Sequence, residues 1–219
     1  MKDAPIRVIT VEREYGSRGG EFAHDLAARL GWRLLDGALA CGAAKRAGVD
    51  PELAAQFDER LDPWYYRYGK VFWHDPVYPV SNLSDEMVFD AERMMSLVRL
   101  EILQAAQDGN CVLVGRGAAC ALANHPGCFH VFVFAPSNAK REWFTQAFPN
   151  KAQQADQQLT AFDKRRAGTI RQFYQKEWSS RCLYHLLLNS EIGIEAMIAA
   201  TEGAAGLRNP ETAAQALTR

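Results

Sequence analysis

The stretch IRVITVEREYGSRGGEFAHDLAARLG, residues 6–31, decides the fold. Its first six residues form a short apolar, β-branched run bounded by charge, which predicts a buried strand over 6–11. Residues 16–20 are rich in glycine. Beyond them Phe22, Ala23, Leu26, Ala27 and Leu30 recur at helical spacing, and Gly31 can end that helix in the left-handed conformation. A strand, a glycine loop and a helix in this order open a nucleotide-binding α/β unit.

A phosphate group needs backbone N–H donors at close range, hence glycines where a Cβ would block approach, and it gains from the positive end of a helix. Residues Gly16, Ser17, Arg18, Gly19, Gly20 and Glu21 supply that chemistry. The same residues would also make a plain tight turn between strand and helix. The GxxxxGK[ST] pattern cannot be placed here, because positions 19 and 20, where its lysine would fall, are both glycine. Arg18 is the one cation inside the turn itself.

Outward from this unit, further strands are predicted over 33–36, 111–114, 129–134 and 183–188. Helices are predicted over 85–107, 138–147 with Ser137 as its cap, 156–178 as one helix or two, and 192–200, with a peripheral tail from Thr201. Strands alternating with helices give an α/β class with a five-stranded parallel sheet covered on both faces. Ligands of such sheets lie beyond the carboxyl ends of the strands. The loop after the first strand, Asp36, Arg116 and Asn189 all fall there.

Bulk properties set the frame. The chain has 219 residues and a net charge of −1, with 48% hydrophobic and 23% charged residues. That suits one core-bearing domain, and gives no global reason to expect a nucleic-acid or membrane surface. Five cysteines with no CxxC pair fit a reducing compartment. No apolar run approaches the ~18–20 residues of a membrane helix, and residues 1–5 do not read as a signal peptide. A cytoplasmic protein is expected.

Further stretches resemble the cytidylate kinase-like family. Residues 8–17 are similar to its opening, whose loop runs REYGSGG. Leu34-Leu35-Asp36-Gly37-Ala38 resembles an LDSGA segment without the serine, and Gly115-Arg116-Gly117 a GRD segment with Gly117 in place of the aspartate. Asp163-Lys164-Arg165-Arg166 is similar to the DxxR of an arginine-bearing lid, and Leu188-Asn189-Ser190 to the end of the last strand. The match runs in order over roughly residues 6–200.

The resemblance implies a three-layer P-loop kinase-like fold. It would be one domain over 1–219, with core 6–36, 108–135 and 182–200, a substrate-binding insertion at about 37–107, a lid at about 136–181 and a tail 201–219. It implies transfer of the γ-phosphoryl group of ATP, with Mg2+, to a nucleoside monophosphate, CMP or dCMP first. Arg116 would hold the acceptor phosphate, and Arg165 and Arg166 would close from the lid as catalytic groups. Asp36, Asp163 and Arg171 would serve the substrate, although Asp36 also suits a strand-end turn. Glu12 would reach a metal through water, or cap the loop. Between residues 140 and 181 nine Lys/Arg face four Asp/Glu, as a polyphosphate lid requires, or as a solvated helix face carries. With no loop lysine, Arg18 or the lid arginines Arg165 and Arg166 must supply its charge, and the longer reach of the lid pair points to them. A non-catalytic nucleotide-binding regulator, or a kinase of another small acceptor, is the alternative.

Two further groups draw less weight. Cys120, His125, Cys128 and His130 are ligand types for zinc, but their spacing is irregular and two of them fall at a buried strand. The aromatic residues between 64 and 78 could stack a base, pack an insertion, or form a homodimer contact.

Overall fold

The computed structural model describes residues 4–36 and 85–207. The expected insertion through residue 84, with its aromatic segment 64–78, lies outside these residues, as does the tail from 208. Strands β1 (Val8–Arg13), β2 (Arg33–Leu35), β3 (Cys111–Val114), β4 (Cys128–Phe134) and β5 (Leu186–Asn189) form one sheet. Its order is β2-β3-β1-β4-β5, and every pairing is parallel. The helices, numbered among the described residues, are α1 (Gly19–Leu30), α2 (Asp85–Asp108), α3 (Ala118–Ala121), α4 (Ser137–Ala147), α5 (Ala155–Tyr174) and α6 (Ile194–Ala204).

The central strand explains the two-sided core. Along β1 the side chains alternate between faces. Ile9 and Val11 join Phe22 and Leu26 of α1 and Met197 and Ile198 of α6. Val8 packs the other way, with Val98 and Ile102 of α2 and Leu113 of β3. A third cluster sets Phe132 of β4 against Ile170 of α5, Trp178 and Tyr184. Helices therefore cover both faces of the sheet, which is why its central strands are mostly apolar, with Thr10, Glu12 and His130 as buried polar exceptions.

Several boundaries differ from those the pattern predicts. β1 runs on to Arg13, since Glu12 and Arg13 keep pairing with Phe132 and Val133. The last strand begins only at Leu186, because residues 181–183 form a 3-10 turn. There the Tyr184 hydroxyl donates to the Trp178 carbonyl at 2.6 Å and its ring packs on Phe132, which holds the chain out of the sheet. Ser137 is not a cap: Pro136 precedes the first turn of α4 and no side-chain cap bond forms. α5 ends at Tyr174, where Gln175 turns left-handed with φ 53°. α6 starts two residues late, after a turn held by the Asn189 side chain, which accepts from the Glu191 N–H. It runs on through residue 204, and Thr201 is buried in it, so the first residues of the expected tail belong to the core.

Candidate functional site

The carboxyl ends of β1, β3 and β2 meet at one edge of the sheet, and the predicted residues gather there. The loop after β1 is a compact turn. Ser17 is fully buried, and its hydroxyl and N–H both donate to the Glu14 carbonyl. Gly16 has φ 81° and Arg18, at the N-cap of α1, has φ 58°. The first N–H groups of a helix have no partner within it, so those of Gly19, Gly20 and Glu21 face the direction from which an anion would approach. Phe22 N–H is the first to bond back, to the Arg18 carbonyl.

The three loop glycines differ in what a side chain would meet. A Cβ at position 19 would lie 2.5 Å from Arg13 Cβ and 2.9 Å from its Cγ, which real atoms do not tolerate, yet at position 20 it would meet nothing within 4 Å. At position 16 it would press on Leu159 and Lys140 at 3.1–3.3 Å. The start of α1 thus packs against the ends of β1 and β4, and the loop before it against α4 and α5.

Helix α5, the expected lid, is docked on the loop. Asp163 accepts the Tyr15 N–H at 2.7 Å, and the Tyr15 ring stacks on Phe162 with centroids 4.1 Å apart. Lys140 of α4 sits between two carboxylates, 2.8 Å from Glu14 and 3.4 Å from Asp163, and is only 12% exposed. Burial works against its charge, but the two acids outweigh it and raise its pKa above the ordinary lysine value. Burial likewise pushes Asp163 up, while the Tyr15 N–H and Lys140 pull it back. Arg166 donates to the Arg13 carbonyl, and its guanidinium lies over the Tyr15 ring. Arg165 lies over the Phe162 ring.

Beside the loop, Gly115, Arg116 and Gly117 all adopt left-handed backbone, with φ 69°, 61° and 71°. Three such residues in a row turn the chain sharply at the end of β3 and place Arg116 at the carboxyl edge of the sheet. A side chain at 117 would collide with the Tyr174 ring of α5, so the acid of a GRD segment has no room here. Glu12, 4% exposed, accepts the Gly117 N–H with one oxygen and the Trp178 indole N–H with the other. Burial raises its pKa, against the pull of Arg13, Trp178 and Arg166.

Geometry sorts the sequence candidates. Gly16 to Glu21, Arg116, Arg166 and Asp36 come together at the edge. Asp163 is engaged by the loop and Lys140. Arg18 turns to Glu21 in an exposed ion pair at 2.8 Å, and Arg171 pairs with Glu177 on the surface at 2.6 Å. Of the cysteine–histidine group, Cys128 Sγ lies 3.5 Å from His125, whereas His130 is turned to Thr10. Sequence reasoning passed over two cations. Lys140 entered only as one charge among nine. Arg13 lies beyond the strand predicted over 6–11, yet it is the last residue of β1, and its guanidinium lies 3.7 Å from Asp36.

A phosphate fits the first turn of α1, whose leading N–H groups have no helical partner and where a Cβ at position 20 would meet nothing within 4 Å; the space beside Gly19 and Gly115 is filled by Arg13, and that beside Gly117 by Tyr174. Glu12, expected to reach a metal through water or to cap the loop, is buried, with one oxygen accepting from the Gly117 N–H and the other from the Trp178 indole. Among the described residues no three His, Cys, Asp or Glu gather as a metal would need. None of the described helices is long and apolar enough to cross a membrane.

Three solved structures share the fold at low sequence identity. An uncharacterized protein from Eubacterium ventriosum has 16% identity and a TM-score of 0.65, covering 92% of this chain and 99% of its own. A Thermus thermophilus protein has 17% identity and a TM-score of 0.52, covering 94% and 100%. Shikimate kinase from Bacteroides thetaiotaomicron has 13% identity and a TM-score of 0.50, covering 90% and 96%. No curated protein matches the chain. The description "Cytidylate kinase-like family" matches residues 8–192. With a P-loop kinase-like sheet, a glycine loop between β1 and α1 and a family match over most of its length, the chain belongs to the cytidylate kinase-like family.

Proposed function

We propose that this protein transfers the γ-phosphoryl group of ATP to a nucleoside monophosphate, with CMP or dCMP as the first acceptors to test, in the cytoplasm. The observation that carries this reading is the sheet edge itself. There the open N-terminus of α1 stands beside Arg116 and Arg166, a positive setting for a polyanion within a family of kinases. Phosphoryl transfer needs positioning and charge neutralisation more than covalent help from the protein. The loop N–H groups of residues 19–21 take triphosphate oxygens. Arg116 holds the acceptor phosphate with its planar fork. Arg166, fixed on the docked helix α5, covers the reacting phosphates and helps exclude water, with Arg165 beside it. Asp36 orients the acceptor. Magnesium, when bound, neutralises phosphate charge; Glu12 ties β1 to residue 117 and Trp178. The whole chain is read as one domain, with about 37–107 as the substrate-binding insertion, the end of which, in α2, packs on the sheet through Val98 and Ile102.

The test is ADP release from ATP across a panel of nucleoside monophosphates and of other small phosphorylated or hydroxylated acceptors. Acceptor-dependent ADP with CMP or dCMP supports the reading; turnover only with another acceptor keeps the kinase and changes its substrate. A second reading, a non-catalytic nucleotide sensor, draws on the docked state of α5, where Lys140, Asp163 and Tyr15 already hold the lid against the loop. ATP-induced thermal stabilisation without ADP release from any acceptor would favour it.

A further inference from the structure

Gly19 raises a question that its backbone does not answer. Gly16, Gly115 and Gly117 have positive φ, but Gly19 is not among the positive-φ residues and is the first residue of a regular helix. What forbids a side chain there is Arg13: its Cβ and Cγ lie 2.5 and 2.9 Å from where a Cβ at 19 would stand. The Arg13 stem therefore fills the space at the mouth of the loop that a side chain at 19 would need. Its head then crosses the edge of the sheet. Nη1 occupies the space over Gly115, at the end of β3, and Nη2 lies 3.7 Å from Asp36, just past β2. The side chain is 19% exposed while Asp36 is 48% exposed. The guanidinium is thus held from below and paired, on its open side, by a carboxylate that water reaches.

We propose that Arg13 is the phosphate-binding cation of this site, lying where a loop lysine would lie and meeting the terminal phosphates of a bound nucleoside triphosphate in exchange for Asp36; the assignment rests on the reading of this edge as a triphosphate site. The arrangement accounts for two features together. Glycine at 19 leaves room for the arginine, and the arginine supplies the charge that glycine cannot. A guanidinium suits the role because its fixed fork can turn from one carboxylate to two phosphate oxygens with little loss of order. Arg18, by contrast, is tied to Glu21 in solvent, and Arg166 spends a donor on the Arg13 carbonyl, which steadies the strand end that carries Arg13.

The test measures binding of inorganic tripolyphosphate and of ATP by calorimetry, alongside ADP release, for the wild type, Arg13→Met, Arg13→Lys and the exchange Arg13→Gly with Gly19→Lys. Methionine keeps the stem over Gly19 and removes the charge. The expected result is a tripolyphosphate affinity lowered on the order of 10-fold or more in Arg13→Met, on the scale of a lost charge-assisted contact. Arg13→Lys should retain most of that affinity, and the exchange should restore it. Rescue by lysine from either position is a readout that a merely structural tie between β1 and β2 would not give. If Arg13→Met binds tripolyphosphate as the wild type does, while the wild type releases ADP, the Arg13 assignment is overturned and the kinase reading stands. If the affinity falls as expected but no acceptor yields ADP, Arg13 stands and the kinase reading fails. Failure of the wild type to bind tripolyphosphate or ATP overturns both.

Discussion

A methyl group added at position 19 would press into Arg13, whereas one added at position 20 would meet nothing within 4 Å. Gly19→Ala should therefore cost about 1–3 kcal/mol through overpacking. Gly20→Ala, in the first turn of α1, should be neutral or stabilise by up to about 1 kcal/mol. Urea unfolding of the two variants checks this, and equal effects would count against the packing at Arg13. Another residue-scale test concerns His130, 3% exposed, with Nδ1 2.8 Å from the Thr10 hydroxyl and its ring stacked on His185. Burial first, then His185, lowers its pKa to about 4 from an ordinary 6.5. The unfolded chain takes up a proton near pH 6.5 that the folded chain refuses until about pH 4. Stability from this group is thus complete above pH 6.5 and lost as pH falls through that window, roughly 3 kcal/mol in all. His130→Asn should flatten the fall of unfolding free energy between pH 6.5 and 5; an unchanged slope would assign the acid sensitivity elsewhere.

The element docked on the loop after β1 is α5. Its hold on the loop runs through Lys140, which neutralises Glu14 and Asp163 together. Lys140→Met would leave two part-buried carboxylates facing each other, a loss of about 2–4 kcal/mol by analogy with broken buried pairs. Hydrogen exchange should speed up in the first turns of α5 and at Tyr15, but not in β1 or β3; uniform acceleration would mean the clamp is not local. Much at this scale was readable from periodicity. Phe22 and Leu26 mark the buried side of α1, and Gly31 ends it with φ 64° as its position suggests. What was not readable depends on partners distant in sequence. Arg13 belongs to β1 only because Val133 pairs with it. Tyr184 leaves the apolar run 183–188 because Trp178 takes its hydroxyl. Lys140 is a clamp rather than a surface charge because two acids, 126 and 23 residues away, meet it.

Across the molecule, the parallel sheet with two covered faces brings the loop of residues 16–21, Arg13, Asp36 and Arg116 to one edge, although they are spread over a hundred positions of sequence. The fold was legible because strand, glycine loop and helix have local signatures and their order limits the topology. Which residues share that edge was only half legible, since this depends on which strand ends lie side by side, here β1, β3 and β2. The central claim is that this edge passes a phosphoryl group to an acceptor held by Arg116. Its most direct measurement is steady-state acceptor turnover by the wild type and by Arg116→Ala, both followed by ADP release. The account predicts acceptor-dependent turnover by the wild type and a kcat/KM for the acceptor lowered by roughly 100-fold or more in the variant, the scale of a lost charged contact of ~3 kcal/mol, with ATP affinity little changed. Equal kcat/KM in the two proteins, or a defect confined to ATP affinity, would contradict it.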